Sequence, residues 1–365
     1  MKKRLLSFLL VFAMILSIAA CGQQKTSNDT ETNTEAVAET NTEAEEISET
    51  SEEDSSETLI TQYPITVTDQ AGREVIIESE PQKLVSGYYI STSLLIALDL
   101  DEKLVGIEAK ANKRPIYQLS APQLIDLPNV GTAKEFDLEG CIALEPDLVI
   151  LPMKLKNTAE SLEKLDIDVL YVNPESQELL NEMMTLIGTA TNTQEKTKAL
   201  MDFKTIHEKT LTEALANADT PSVYLAGNSN MLSTAGSDMY QSDMIALAGG
   251  KNVAADITDN YWVEIDYEQL LTWNPEYIIL ASDADYSVDD VLADPNLSEC
   301  SAVKNGNVFQ MPSKSESWDS PVPSGILGSV WLATVLHEDL FSADDASAII
   351  DEYYEKFYDF KYSEK

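Results

Sequence analysis

Residues 65–69 and 73–77 alternate apolar and polar positions on either side of Gly72, a pattern that predicts a β-hairpin. Short continuous apolar runs follow at 84–86, 104–107, 148–151 and 169–172. Each is succeeded by a stretch with helical spacing, at 91–99, 115–119, 158–165 and 177–187. Strand–helix alternation of this kind predicts a parallel sheet wrapped by helices. A longer helical pattern occupies 193–218, with Asn192 and Glu195 spaced as a capping box. About 25 helical residues span about 38 Å, long enough to cross from one lobe to another. A second series then begins, with apolar runs at 223–226, 277–281 and 308–311 and helical patterns at 241–248, 267–273, 325–337 and 345–358. The expected fold class is α/β: two Rossmann-like α/β lobes, 59–191 and 219–365, joined by one long helix at 192–218.

The two series share a repeat. Residues 138–151 (LEGCIALEPDLVIL) align without a gap on 267–280 (YEQLLTWNPEYIIL), a constant offset of 129. Glu139 and Glu268, Pro146 and Pro275, and the final leucines coincide. Both copies read as a short helix, a proline turn and a buried strand. One long offset argues for two related lobes, where a solenoid would show several copies.

The first sixty residues differ in kind. Met1-Lys2-Lys3-Arg4 is a positive start, and residues 5–20 are apolar except for Ser7 and Ser17. Sixteen residues are short for a membrane span and normal for a signal-peptide core. Ile18-Ala19-Ala20-Cys21 resembles the lipobox of bacterial lipoproteins, with Ile18 where leucine is usual. That resemblance implies a signal peptide at 1–20 and a diacylated Cys21 at the mature N-terminus, a stable anchor. Residues 22–58 hold twelve Asp or Glu, one Lys and no aromatic side chain. Such a segment buries too little apolar surface to fold. It is expected to be a disordered acidic spacer of 37 residues, spanning roughly 35 Å.

The body beyond carries 51 acidic and 20 basic residues. Net charge of that sign disfavours nucleic acid and anionic lipid as partners. Cys141 and Cys300 fall in different lobes and are expected to be free, buried thiols. His207 and His337 belong to no ligand cluster, so neither a protein-held metal nor another cofactor is expected. The sequence shows no G-x-S-x-G elbow, Walker A loop, G-x-G-x-x-G or C-x-x-C. Acidic pairs such as Asp289-Asp290 could in principle serve a glycosidase, but in so acidic a chain they read as plain surface charge.

Seven segments in order resemble the helix-backbone class of substrate-binding proteins of ABC importers, the class that carries iron–siderophore, haem, cobalamin and some oxyanion cargoes. They are 65–75 (ITVTDQAGREV), 104–106, 129–132 (NVGT), 138–151, 248–254 (AGGKNVA), 268–280 and 302–308 (AVKNGNV). The resemblance implies a rigid interdomain helix, a cleft between the lobes and little hinge motion. It also implies docking of one glutamate per lobe on a permease dimer, here Glu139 and Glu268. The repeat pairs these two residues independently. A first-turn acid favoured by the helix dipole accounts for both positions as well.

In open α/β sheets ligands bind beyond the carboxyl ends of the strands. Lys110, Lys113, Arg114, Lys134, Lys154 and Lys156 all fall in first-lobe loops of that kind. Positive loops on an acidic body suit an anionic cargo, and also suit a plain solvated rim. Arg114 has the fork that holds a carboxylate or phosphate. Tyr88, Tyr89, Tyr117, Tyr261, Trp262 and Trp318 are the aromatic candidates for the cleft wall, with Lys134 and Lys154 as further ligand-binding candidates. The expected function is non-enzymatic. A monomer, lipid-anchored on the outer face of the cytoplasmic membrane, captures an iron–siderophore-like or other anionic chelate, haem or cobalamin for an ABC permease. The alternatives are a molybdate- or tungstate-type oxyanion receptor, a lipid-anchored hydrolase, and a sensor or adhesion module.

Overall fold

The computed structural model describes residues 60–258 and 262–365. The segments expected to be a signal peptide and an acidic spacer, with Cys21 and Tyr261, lie outside the described residues. In chain order the strands are β1 (Ile65–Thr68), β2 (Glu74–Ile77), β3 (Leu84–Ser86), β4 (Leu104–Ile107), β5 (Leu148–Pro152), β6 (Asp168–Val172), β7 (Ser222–Ala226), β8 (Ser233–Thr234), β9 (Lys251–Asn252), β10 (Val263–Glu264), β11 (Tyr277–Leu280) and β12 (Val308–Gln310). The helices are α1 (Tyr89–Ala97), α2 (Pro115–Ser120), α3 (Leu138–Ala143), α4 (Ala159–Glu163), α5 (Gln177–Ala190), α6 (Gln194–Ala214), α7 (Tyr240–Leu247), α8 (Tyr267–Trp273), α9 (Val288–Leu292), α10 (Ser301–Asn305), α11 (Ile326–Leu336) and α12 (Ala343–Tyr358).

The first hairpin forms because Asp69 organises its turn. The Asp69 carboxylate accepts from the backbone N–H of Ala71 and Arg73 and pairs with the Arg73 guanidinium at 2.7 Å. Gly72 takes a φ of 78°, a left-handed conformation that costs glycine little. Arg73 also reaches Glu163 and stacks over the Tyr171 ring at 4.5 Å, so this guanidinium is committed to the fold.

Two parallel sheets follow, with orders β4-β3-β5-β6 and β12-β11-β7-β9. β3 and β5 correspond to β7 and β11, so the two orders are one arrangement used twice. Leu84 pairs with Leu148 in the first sheet, and Val223 pairs with Tyr277 in the second. β3 and β5 are buried along their whole length, as expected of strands covered on both faces. The α/β, two-lobed architecture expected from the periodicity is the architecture found.

The repeat extends beyond the aligned letters. Asp137 caps α3 by accepting from Gly140 N–H at 2.9 Å, and Asp266 caps α8 from Gln269 N–H at 2.8 Å. Glu145 and Asn274 then turn the chain with φ of 50° and 45°. Asp147 and Glu276 accept from the N–H groups of Lys83 and Ser222, each just ahead of or at the start of the neighbouring strand.

The long helix is shorter than its pattern. α6 runs from Gln194 to Ala214, about 32 Å for its 21 residues. The capping box is not formed. Thr193 is the N-cap, without a side-chain bond, and Asn192 has a φ of 59°. Its amide is used elsewhere, accepting from Thr61 N–H and donating to Glu80. α6 packs against α5 of the first lobe and α11 of the second. α12 forms a second tie, packing on α11 and on α1. Ser120 Oγ donates to the Tyr358 carbonyl at 2.8 Å, and the Tyr358 hydroxyl lies 2.9 Å from Ser93 Oγ. A continuous buried cluster therefore runs from Leu84 and Leu94 through Phe203 to Tyr353 and Leu327, while smaller clusters lie on the outer faces of the two sheets. Cys141 and Cys300 sit in those separate outer clusters as free, buried thiols.

Candidate functional site

A cleft of about 500 Å³ opens between the lobes. The first lobe supplies Tyr88 and Tyr89 after β3, Lys154 after β5 and Glu175 after β6. The second supplies Asn228 to Asn230 after β7 and Asp319 to Pro321 after β12. These are strand carboxyl ends, where the side chains of an open sheet run out and ligands bind. A smaller compartment of about 230 Å³ adjoins it, lined by Lys113, Arg114 and Tyr117 from the first lobe and by Asp283, Ser315 and Glu316 from the second. Tyr89 lines both compartments.

Arg114 is the N-cap of α2, ahead of Pro115, whose fixed φ suits the first helical position. Its guanidinium lies 4.0 Å from the centre of the Tyr89 ring. Its Nε is buried and has no hydrogen-bond partner. None of the ion pairs among the described residues uses it. The same holds for Lys110, Lys113, Lys134, Lys154 and Lys156, in a body with 51 acids.

Buried carboxyl groups flank the arginine. Glu108 accepts from Tyr117 Oη at 2.6 Å and Thr92 Oγ1 at 2.7 Å. Glu316 accepts from Ser93 of the other lobe and from Ser324 Oγ at 2.5 Å. Burial pushes both carboxyls up, and the hydroxyl donors and Arg114 pull part of the way back. Asp319, 3 % exposed, is likewise raised by burial while Ser282 Oγ donates to it at 2.6 Å. Glu175 is raised by burial and lowered by the charge of Lys154.

The sequence candidates separate into groups. Tyr88, Tyr89, Lys154 and Trp262 line the larger compartment; Arg114 and Tyr117 line the smaller. Tyr117 is 1 % exposed, with its hydroxyl engaged by Glu108, so it acts as wall and support. Lys134 is exposed on its own turn and lines neither compartment. Trp318 also lines neither. It is 1 % exposed, donates from Nε1 to Tyr354 Oη at 2.9 Å and packs on Tyr362. The polar letters around it are themselves folded inward, which is why the sequence reads as an exposed turn. Glu175, Gln241 and Asp319 line the cleft without having been singled out. Glu175 follows β6, so the strand-end rule reaches it; Gln241 sits in α7, and nothing in its local sequence marks it.

His207 packs against Phe203 at 4.2 Å and His337 Nε2 faces the Gly249 carbonyl. Among the described residues no three His, Cys, Asp or Glu side chains converge as a metal site. Glu139 and Glu268 are both exposed in the first turns of α3 and α8.

Comparison with known proteins agrees with this architecture. The chain is 26 % identical over 319 residues to the molybdate-binding protein MolA of Haemophilus influenzae, covering 80 % of this chain and 90 % of that protein. It is 27 % identical over 260 residues to an uncharacterised ABC transporter substrate-binding lipoprotein, YvrC, of Bacillus subtilis, covering 68 % and 78 %. A vitamin B12-binding protein of Yersinia pestis is 26 % identical over 216 residues, covering 58 % and 73 %. The structure of molybdate-bound MolA superposes with a TM-score of 0.71 at 24 % identity, covering 82 % of this chain and 99 % of that one, and shares the fold. The family model described as periplasmic binding protein matches residues 84–315, which span the cleft-forming strands of both lobes. With two equivalent parallel sheets, helices bridging them and a cleft at their strand ends, this chain belongs to the periplasmic binding protein family.

Proposed function

We propose that this protein is the substrate-binding component of an ABC importer, and that it captures a metal chelate through an anionic group of the cargo. The observation that carries the reading is Arg114. In a strongly acidic body its guanidinium stacks on Tyr89 at the cleft and is paired with no carboxylate, with Nε unsatisfied. A guanidinium held in that way is a ready partner for a carboxylate, phosphate or catecholate oxygen. A volume of about 500 Å³ bounded by Tyr88, Tyr89 and Trp262 suits an organic chelate of tens of atoms, such as a ferric siderophore, haem or a corrinoid. Kinship with ABC transporter binding proteins supports capture without chemistry.

An oxyanion cargo is the second reading. The smaller compartment sets the cations Arg114 and Lys113 beside the Ser313 side chain, groups suited to a small anion, and one relative is named for molybdate. Titration calorimetry against ferric siderophores, haem, cobalamin and molybdate separates the two. Saturation at one cargo per protein, with the cargo recovered unchanged, supports capture; turnover of the added compound would establish a lipid-anchored hydrolase instead.

Delivery follows from the two lobes. We further propose that Glu139 and Glu268, exposed at equivalent places, engage complementary charges on a two-fold permease. Cys21 would hold the protein at the outer face of the membrane; substituting Cys21→Ala would then release it into the medium.

A further inference from the structure

The cations lining the two compartments come from one lobe, which adds a single acid, Glu175. The cations are Lys113, Arg114 and Lys154, all from the first lobe. The second lobe contributes only acids, namely Glu264, Asp283, Glu316 and Asp319. A uniformly anionic cargo would be attracted by one wall and repelled by the other.

An acceptor on the acidic wall lacks a donor. Gln241 is 5 % exposed and lines the larger compartment. Its Nε2 donates to the Asp319 carbonyl at 2.7 Å. A carbonyl can only accept, so the amide cannot be turned round, and the unpartnered buried atom is Oε1. Oε1 can be satisfied only by an N–H or O–H. Asp319 and Glu264 on the same wall are acceptors too when ionised. Folding thus leaves a guanidinium nitrogen unpartnered on the first-lobe side and an amide oxygen unpartnered on the second.

We infer that the cargo is dipolar: an anionic group meets Arg114 on the first lobe, and an ammonium or N–H-bearing group meets Gln241, Asp319 and Glu264 on the second. This rests on the reading of the cleft as the cargo site and narrows it to chelates that carry both kinds of group.

The sign of a charge change tests it. The probes are a ferric trihydroxamate bearing one free carboxylate and one free ammonium, a ferric tricatecholate, and inorganic molybdate, titrated against wild-type protein, Arg114→Gln and Glu264→Gln. Glu264 is exposed, which keeps this variant clear of the core. With the dipolar chelate, Arg114→Gln is expected to weaken binding by about 10-fold or more. Glu264→Gln is expected to weaken it by about 3-fold, as for an exposed ion pair. Gln241→Met removes the orphan acceptor at similar volume and is expected to weaken the same probe. If Glu264→Gln leaves affinity unchanged or tightens it, the second-lobe acids do not receive the cargo and the inference is overturned, while anion capture by Arg114 stands. If the wild type binds none of the three probes, the cleft reading fails and takes this one with it.

Discussion

Glu145 and Asn274 stand 129 residues apart and turn the chain in the same left-handed way, with φ of 50° and 45°. Each ends a short capped helix and aims a proline-led strand into its sheet. The same backbone conformation is supported differently at the two sites. Asn274 Oδ1 accepts from Ser301 N–H at 2.8 Å, whereas Glu145 makes only an exposed contact of 3.7 Å with Lys83. A non-glycine residue in this region costs about 1 kcal/mol or more. Glu145→Gly is therefore expected to be neutral or stabilising by up to about 1 kcal/mol, because relief of strain offsets the freer unfolded chain. Asn274→Gly is expected to destabilise by about 1 kcal/mol, since Ser301 N–H loses its acceptor. Urea midpoints of the two variants check the contrast; equal shifts would show that the side-chain bond contributes nothing.

Arg114→Lys is the finer probe of the cleft. Lysine keeps the charge but lacks the planar fork that stacks on Tyr89. Affinity for the cargo is expected to fall by several-fold, between wild type and Arg114→Gln, with the urea midpoint unchanged. Full affinity in Arg114→Lys would reduce the arginine's role to charge alone.

The two tryptophans near the cleft should behave oppositely. Trp262 is 36 % exposed on the cleft wall, and Trp262→Ala is expected to weaken binding with little change in stability. Trp318→Phe loses the Nε1 donation to Tyr354 and is expected to destabilise by about 1 kcal/mol while leaving affinity unchanged. Calorimetric titration and denaturation of both variants read the two effects separately.

Reversing both acids proposed to dock, Glu139→Lys with Glu268→Lys, is expected to abolish cellular uptake at unchanged cargo affinity. Both residues are exposed and lie outside the cleft lining, so stability should hold. A fall in affinity would place them in binding instead of delivery.

Asp168, at the start of β6, gives a pH signature. Burial raises its carboxyl from 3.8 to about 6, and Glu78, Glu163 and Asp147 push in the same direction. The fold favours the neutral acid, so this stabilising contribution is complete below the unfolded value of 3.8 and is lost as pH rises through about 6. Asp168→Asn should remain neutral throughout, and its stability relative to wild type should rise between about pH 4 and pH 6. Parallel stability–pH curves would assign the carboxyl an ordinary value.

Much of the fold was legible because β3, β5 and β11 are continuous apolar runs and α8 has helical spacing over the residues it occupies. The hairpin could be read from Asp69, Gly72 and the alternation around them. What escaped was set by tertiary partners. Asn192 has the right neighbour for a capping box, yet Thr61 and Glu80 compete for its amide. β8, β9 and β10 are two residues each, too short to show a period. The cleft was located by the strand-end rule, and Arg114 by its planar fork among the basic residues of those loops. Its acidic wall was hidden because one more glutamate or aspartate carries no signal in a chain with 63 of them. Trp318 was misplaced for a related reason: Ser315, Glu316 and Asp319 are polar letters, but they are buried and satisfied by Tyr354, Ser93 and Ser282.

Folding leaves the buried Nε of Arg114 without a partner, at a cost typical of an unsatisfied polar atom. A cargo that supplies that partner returns the stability which folding alone does not reach. Occupancy and melting temperature are then linked. Cargo at a hundred times its dissociation constant should add about 2.7 kcal/mol of stability. In Arg114→Gln that same concentration sits nearer the weakened dissociation constant, so the thermal gain should shrink in step with the affinity.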